Sequence, residues 1–397
     1  MTLPASGAIS FSNVDTELGL SSTAQLSLNC TSARNLAGVA SGAISLNNFY
    51  GKSSITPGSV SYTTPGTYTW IAPSGTGGSV SAVAVGGGGG ATSRFACINA
   101  SGGGGALSYK NNYAVSAGTG YTIVVGKGGC GYKAYLVCPG CFLAGRDSYA
   151  FALCVLRAEG GGEGSYSSGN SISLSTPAYT RIVCRYRNAT RYSCGRRAGS
   201  RFGKPLAGDG GGSGGGGSSW QDNYLNSNNG GIGGGGGAGG YSGQGGYGAI
   251  LGSTYYNIHG QDGSGGGGGG GGYNECGPYS KSPVGGGGGV GLYGQGSNGS
   301  GGYAPITAFP NGYGGYYYAF SQPAYGGGGG SGGSAGGTGT CGNGGAGGNY
   351  GGGGGGGYYV SSNISCISAG GKGGCGAVRI VWPGSTRRFP STCVGSP

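Results

Sequence analysis

The sequence predicts a mainly β and irregular fold: a small N-terminal module, a β-sandwich-like domain closed by the C-terminal strand, and a packed array of polyglycine-II helices. Three observations carry this expectation. Glycine supplies 111 of the 397 residues, often in unbroken rows such as DGSGGGGGGGGY at 262–273. Short runs of period-two apolar residues cluster between 58 and 155, and one more, GAVRIVW, stands at 376–382. The first 53 residues are the least glycine-rich and contain an internal echo. A glycine-rich chain with 8% charged residues would ordinarily be disordered, but 36% hydrophobic content and 30 tyrosines oppose that default. The glycines never settle into a Gly-X-Y period, which excludes collagen. No apolar run nears the ~18 residues a bilayer-spanning helix needs.

In residues 1–53, ASGAISFSN (5–13) returns as ASGAISLNN (40–48). Between the copies, VDTELGL and TSARNLAGV predict two short helices, with Asp15 or Thr31–Ser32 as starts. The module is too small to bury much core alone, so it is expected to dock on a partner. The opening MTLPASGAISFS has no basic residue followed by an apolar core and is not expected to be a secretory signal.

Residues 54–157 predict the β part. SVSYTT, the turn Pro65-Gly66 and GTYTWIAP read as a hairpin, with Val60, Tyr62, Tyr68 and Trp70 at period-two spacing. SVSAVAV (79–85), YTIVV (121–125) and YAFALCV (149–155) predict further strands. The late run opening the closing segment, 377–397, is expected to return and pair with the early ones.

Residues 158–205 hold the main charge cluster, TRIVCRYRNATRYSCGRRAGSRFGK. Its arginines alternate with Ile182, Val183, Tyr186 and Tyr192, as in an exposed two-stranded hairpin. Arg185, Arg187, Arg191, Arg196 and Arg197 are candidates for an anion-binding surface, with a solvated insertion as the plainer reading. Thirteen cysteines is an odd number, so at least one thiol is unpaired within a monomer. Cys138 with Cys141, and Cys184 with Cys194, are the candidate local bridges; in a chain made in a reducing cytosol most cysteines are expected as thiols.

Residues 206–376 alternate glycine runs (210–217, 230–240, 265–272, 285–289, 326–333, 351–357) with Tyr-, Asn- and Ser-rich separators. Ordering a residue costs about 1–2 kcal/mol of backbone entropy, and a backbone hydrogen bond returns only ~0.5–1.5 kcal/mol net. An isolated glycine helix should melt. In an extended three-fold helix, however, peptide groups point outward and bond sideways to neighbours, and any Cβ would force the helices apart. Each ten-residue run would be a rod of roughly 30 Å. Ser, Ala or Tyr would fall where the lattice faces water. With rods running up and down, separators 241–263 and 303–325 are expected to share one end, and 218–229 and 273–284 the opposite one. Tyr255, Tyr256 and His259 would then approach Tyr313, Tyr316, Tyr317 and Tyr318. Tyrosine beside Asn, Ser and Gly gives stiff contact area with adaptable hydrogen bonds, a mixture suited to sugar or protein surfaces. Covering the ends of the array is the competing role.

VSYTTPGTYTWIAPSGTGGSVSAVAVGGGGG, with the late partner GGCGAVRIVWPGSTRRFPST, resembles the glycine-rich domain of tail-associated structural proteins of marine bacteriophages. MTLPASGAISFSNVDTELGL and LAGVASGAISLNNFYGKS resemble a module at the N-terminus of many phage tail proteins. The glycine array is similar to the polyglycine-sandwich adhesins at fibre tips of T-even-type phages. The resemblance implies a virion protein of the tail or tail fibre, synthesised in the host cytoplasm. It would be attached to other tail or fibre proteins through residues 1–53, and to a bacterial saccharide or outer-membrane receptor through its loops. An oligomeric mount is likewise implied by the resemblance alone. A structural virion cement, and an extracellular ligand-binding domain like that of the anaplastic-lymphoma-kinase receptors, are the other classes.

Catalysis is not expected. GxGxxG matches abound without a βαβ unit to place them. His259 is the sole histidine, so neither a His-based triad nor a zinc site is expected. The nine carboxylates are scattered. No cofactor, metal, nucleic-acid partner or membrane insertion is expected.

Overall fold

The computed structural model describes the chain apart from residues 1–2, 19, 53, 55–56, 95–97, 132–142, 164–183, 187–191, 195–197, 200–201, 220–232, 252–255, 258, 273–283, 304–307, 311–315, 319–323, 340–342, 357–368 and 392–397.

The N-terminal echo is a repeated piece of local structure. Gly7 and Gly42 both hold positive φ (93° and 89°). Three residues later, in each copy, a serine caps a short helical element: Ser10 opens α1 (Phe11–Glu17) and Ser45 opens a 3₁₀ turn (Leu46–Phe49). In both copies the serine N–H donates to an asparagine three residues on, Asn13 or Asn48, at 2.9 Å. This reciprocal capping satisfies amides that a short helix cannot. Asp15, expected at a helix start, lies inside α1 and is buried; the cap is Ser10, whose hydroxyl accepts from Asn13 N–H. α2 (Thr31–Ala37) starts where expected, capped by the Cys30 sulfur and closed by left-handed Gly38. Leu3, Val14, Ala33, Leu36, Ala37 and Phe49 form a core belonging to this module.

Two antiparallel five-stranded sheets make the sandwich. In chain order its strands are β1 (Gly58–Tyr62), β2 (Gly66–Ile71), β3 (Ser79–Val85), β4 (Leu107–Ala114), β5 (Gly120–Val125), β6 (Ser148–Phe151), β7 (Leu156–Ala158), β8 (Pro205–Ala207), β9 (Gly210–Gly212) and β10 (Ala377–Trp382). One sheet runs β1-β10-β3-β4-β9 and the other β8-β7-β6-β5-β2. The late strand β10 indeed lies between two early ones, Ile380 standing opposite both Val60 and Ala82. The predicted β1–β2 hairpin does not form, because the two strands belong to opposite sheets. Their period-two aromatics meet across the interior instead, with Tyr62 and Tyr68 ring centroids 4.9 Å apart and Trp70 and Trp382 5.9 Å apart. Periodicity reports a buried face, and a face can be shared between sheets as well as within one. YAFALCV, expected as one strand, is the end of β6 and a turn leading into β7.

Strands pass directly into glycine helices. After β3, successive N–H groups from Gly86 to Ala91 donate to Ala106, Arg146, Gly374, Gly103, Leu143 and Gly371 carbonyls, at 2.7–3.0 Å. The partner segment repeats every third residue, so three neighbours are bonded in rotation. Gly234 to Gly239 do the same, donating to Ala249, Gly285, Gly102, Gly246, Gly288 and Gly105. A three-residue rotation of lateral partners is the signature of polyglycine II, in contrast to a β-ladder's two edges. A Cβ on Gly88 would overlap the Gly352 carbonyl, and one on Gly104 the Gly237 carbonyl. Six residues at ~3.1 Å each give a rod of about 20 Å, shorter than expected.

Three details of the glycine reading change. Gly210–Gly212, inside the run 210–217, is strand β9, paired with Leu107–Tyr109. The run 326–333 turns back at Ser331–Gly332, where both residues hold positive φ. Ala238 faces no water: it is fully buried against Val83, Val85 and Leu107, on the outer face of the first sheet.

Candidate functional site

The ends of the rods determine where every long connection leaves the array. At the sandwich end, rods either continue into strands or turn tightly, as at Tyr241–Ser242, Gly265–Gly266 and Ser331–Gly332. Such turns need left-handed backbone, which Gly265 (φ 54°), Gly266 (78°) and Gly332 (78°) adopt without a Cβ penalty. Tyr241 anchors this end. Fully buried, it donates from its hydroxyl to Gly291 O (3.1 Å) and accepts from Gly294 N–H (3.2 Å); burial pushes its pKa up. Beside it Arg379 of β10 donates to Leu292 O (3.3 Å) and lies 4.1 Å from the Tyr293 ring centroid. Burial lowers the Arg379 pKa.

The opposite end is reached by Ala91, Gly131, Gly217, Ala249, Gly272, Tyr303, Gly339 and Gly356. Hydrogen bonds tie the levels together there: Gly234 N–H to Ala249 O (3.2 Å), Gly272 N–H to Tyr325 O (3.0 Å), and Ala91 N–H to Gly371 O (3.0 Å). Connections 92–100, 132–142, 164–201, 218–232, 250–259, 273–283, 304–323, 340–342 and 357–368 therefore all start and finish at this one end.

This corrects the expected layout of the separators. Segments 241–263 and 303–325 do share an end: Gly260 N–H donates to Gly302 O at 2.8 Å, and Tyr325 N–H to Tyr303 O at 2.9 Å. Segments 218–229 and 273–284 leave from the same end, not the opposite one. Much of 241–263 is itself rod (243–249 and 260–263), so the chain makes two passes where none was expected. Reading only pure glycine runs as rods missed the passes that carry side chains, including GQGGYGA at 243–249 and SNGSGGY at 297–303.

Among the predicted contact residues, His259 is exposed beside the rod starting at Gly260. Tyr256 lies in a short hairpin, opposite Leu251. Tyr316, Tyr317 and Tyr318 pair with Pro310, Phe309 and Ala308 in a second hairpin. Tyr255 and Tyr313 lie outside the described residues. So do Arg187, Arg191, Arg196, Arg197, Cys138 and Cys141. Arg185 stands opposite Ser193 in a third hairpin, in which the backbone register sets Cys184 against Cys194. Sequence reasoning did not single out Tyr303 and Tyr325. Their rings stack at 4.8 Å between centroids, 51% and 37% exposed, at the foot of connection 304–323. Their position immediately beside glycine rods was the available signal.

Among the described residues no group of three or more His, Cys, Asp or Glu side chains could hold a metal ion, and no helix is long and apolar enough to cross a membrane. The exposed Tyr303–Tyr325 pair is stiff aromatic area with polar hydroxyl tips. Residues 63–308 match the sequence profile of a family described as a glycine-rich domain. No curated protein matches the chain.

Proposed function

The chain belongs to the glycine-rich domain family, and from that premise we propose that it is a non-enzymatic bacteriophage virion protein of the tail or tail fibre. Residues 1–53 attach it to neighbouring virion proteins, and the glycine array displays Tyr-rich loops to a receptor on the host surface. The phage assignment is supported by the N-terminal and strand motifs described above. The display role rests on one observation: all the long connections leave the end of the array remote from the sandwich, while the sandwich end is closed by short turns. A scaffold that only filled space would gain nothing from that asymmetry. A display scaffold gains a rigid base with free choice of loop sequence.

Purified protein added to host cells before infection is expected to occupy the receptor and slow adsorption. Replacing Tyr316, Tyr317 and Tyr318 by Ser should abolish that block and leave the melting temperature nearly unchanged. The alternative, a cement between tail or fibre subunits, predicts no block, and places the loop end against other virion proteins in images of the intact particle.

A further inference from the structure

One side of the array carries its exposed side chains in an ordered strip. Rods 260–263, 297–303 and 325–330 lie edge to edge along it. Gly260 and Gly263 N–H donate to the Gly302 and Gly299 carbonyls at 2.8 Å, and Tyr325 and Gly328 N–H to the Tyr303 and Ser300 carbonyls at 2.9 and 2.7 Å. Residues three apart on a three-fold helix share a side. The exposed positions follow that spacing, with Asp262 one step from His259 and Ser300 one step from Tyr303, while Gly263, Gly299 and Gly302 between them are buried. At the loop end of the strip stand the stacked, exposed rings of Tyr303 and Tyr325. One three-residue step toward the sandwich, about 9 Å along the rods, the strip turns polar. Asp262 Oδ1 accepts from Gly301 N–H at 2.6 Å, so the carboxylate leans onto the neighbouring rod. The Ser300 hydroxyl likewise overhangs Gly328, where an added Cβ would meet it. Segments 259–264, 297–303 and 325–330 contain no Lys or Arg, and with His259 neutral Asp262 is their one charge.

We propose that this strip binds a neutral saccharide chain of pyranose units with equatorial hydroxyls, the tyrosine pair taking the flat face of one unit and Asp262 and Ser300 the hydroxyls of a neighbouring one. Such a sugar ring directs its hydroxyls outward around the rim and leaves axial C–H groups on its faces. Those hydrogens are slightly positive and meet the negative face of a tyrosine ring. Each tyrosine offers one face to a ligand, because the other is covered by its partner. A hydroxyl that donates to an ionised carboxylate makes a shorter and stronger bond than one between neutral groups. The same carboxylate sets the charge of the ligand, since an acidic sugar meets repulsion and no cation on these rods. Single-stranded nucleic acid also presents flat faces to stack, but its phosphates need a basic groove that the strip lacks. The strip belongs to the rigid scaffold and not to the long connections. It is therefore a second binding surface, independent of the receptor contact proposed for the loops.

The test is calorimetric titration of the full-length protein with cellohexaose, a neutral chain of this type, and with β-1,4-linked hexaglucuronate, its carboxylated counterpart. Cellohexaose is expected to bind, and the glucuronate to bind at least about threefold more weakly at low salt, with the gap narrowing as salt is raised. Replacing Tyr303 and Tyr325 by Ser should weaken cellohexaose binding at least about tenfold with an unchanged melting temperature. Asp262→Asn keeps an amide oxygen for Gly301 N–H. It should weaken cellohexaose binding about threefold and abolish the discrimination against the glucuronate. Absence of cellohexaose binding, equal binding by the tyrosine variant, or a preference of the parent protein for the glucuronate overturns the proposal. Discrimination that survives in Asp262→Asn overturns the part given to the carboxylate.

Discussion

The sandwich and the glycine array are built from the same strands of chain, yet they are stabilised in opposite ways. Val80, Ala82 and Ala84 of β3 are fully buried and contribute through their side chains. One residue beyond β3, Gly86 begins a rod that contributes through its peptide groups and has no side chain to bury. The sandwich gains roughly 25 cal/mol per Å² of apolar surface removed from water. The array gains a lateral hydrogen bond at nearly every residue, offset by the high entropy cost of ordering glycine. An array so close to balance needs something to hold its rods at one spacing. The sandwich provides it, because several rods are direct continuations of strands already fixed in register. Side chains on the first sheet's outer face then clasp the turns of the remaining rods.

The largest effect should come from breaking that clasp. Tyr241 joins array to sheet, stacked on Phe389 at 5.7 Å between centroids and packed in a cluster with Val83, Leu107, Val290 and Leu292. Tyr241→Ala is expected to cost about 4 kcal/mol, combining lost burial with an unfilled cavity. Tyr241→Phe keeps the ring and should cost about 1–2 kcal/mol, since Gly294 N–H and Gly291 O lose their partner. Chemical denaturation measures both. A cost near zero for the alanine variant would mean that the array stands without the sheet.

The next effect tests the array by itself. Gly88→Ala places a methyl group where the Gly352 carbonyl lies, and the surrounding atoms are backbone, fixed by their own hydrogen bonds. Separation of the rods is expected to cost about 3 kcal/mol. The same change at Gly118, whose added Cβ would meet nothing within 4 Å, tests φ strain alone, since this glycine holds φ at 76°. A cost of about 1 kcal/mol is expected there. Equal losses at the two sites would contradict a packing origin for glycine in the rods.

How much of this was legible in the sequence depends on what side chains report. The strands were visible because Val, Ile, Tyr and Trp recur at period two, and the return of β10 to the early strands was implied by its position after a long glycine region. The three-fold helices were visible because long glycine rows leave only peptide groups to hold them, and an extended three-fold helix lets those groups bond sideways to several neighbours. The turns were not visible, because glycine is both the residue that a rod requires and the residue that a left-handed turn requires. Ser331–Gly332 inside GGGGGSGGSAGG carries no mark that distinguishes it from the rod on either side. Missing the turns sent two of the four separators to the wrong end. The separators' aromatic composition and the arginine cluster were legible; their convergence on one end was not, because it depends on the parity of unseen passes.

The smallest effect concerns glycine used as strand in place of rod. Gly210–Gly212 has the composition of its continuation at 213–217, yet it pairs as β9 with β4. The preceding residue sets that choice. Asp209 N–H donates to Tyr109 O (2.7 Å), while its carboxylate accepts from Lys110 Nζ (2.5 Å) and Asn111 N–H (2.7 Å), pinning the chain to the sheet edge before the glycines begin. Burial acts to raise the Asp209 pKa, but the bonds from Lys110 and Asn111 outweigh it and hold the carboxyl below its usual range. A carboxyl whose folded pKa is depressed stabilises the fold fully above the unfolded pKa of about 4, and loses that contribution as pH falls through the folded value. With the pair about one third exposed and screened by solvent, the contribution should stay under about 1 kcal/mol. Asp209→Asn should therefore remove a small part of stability at pH 7, and the difference from the parent should vanish as the pH is lowered below the folded value. Exchange of the Gly211 and Gly212 amides with solvent should speed up in the variant, while that of Gly88 and Gly236 in the rods stays slow. If Gly211 and Gly212 remain as protected as in the parent, the carboxylate is not what makes these glycines a strand, and the sheet edge alone suffices.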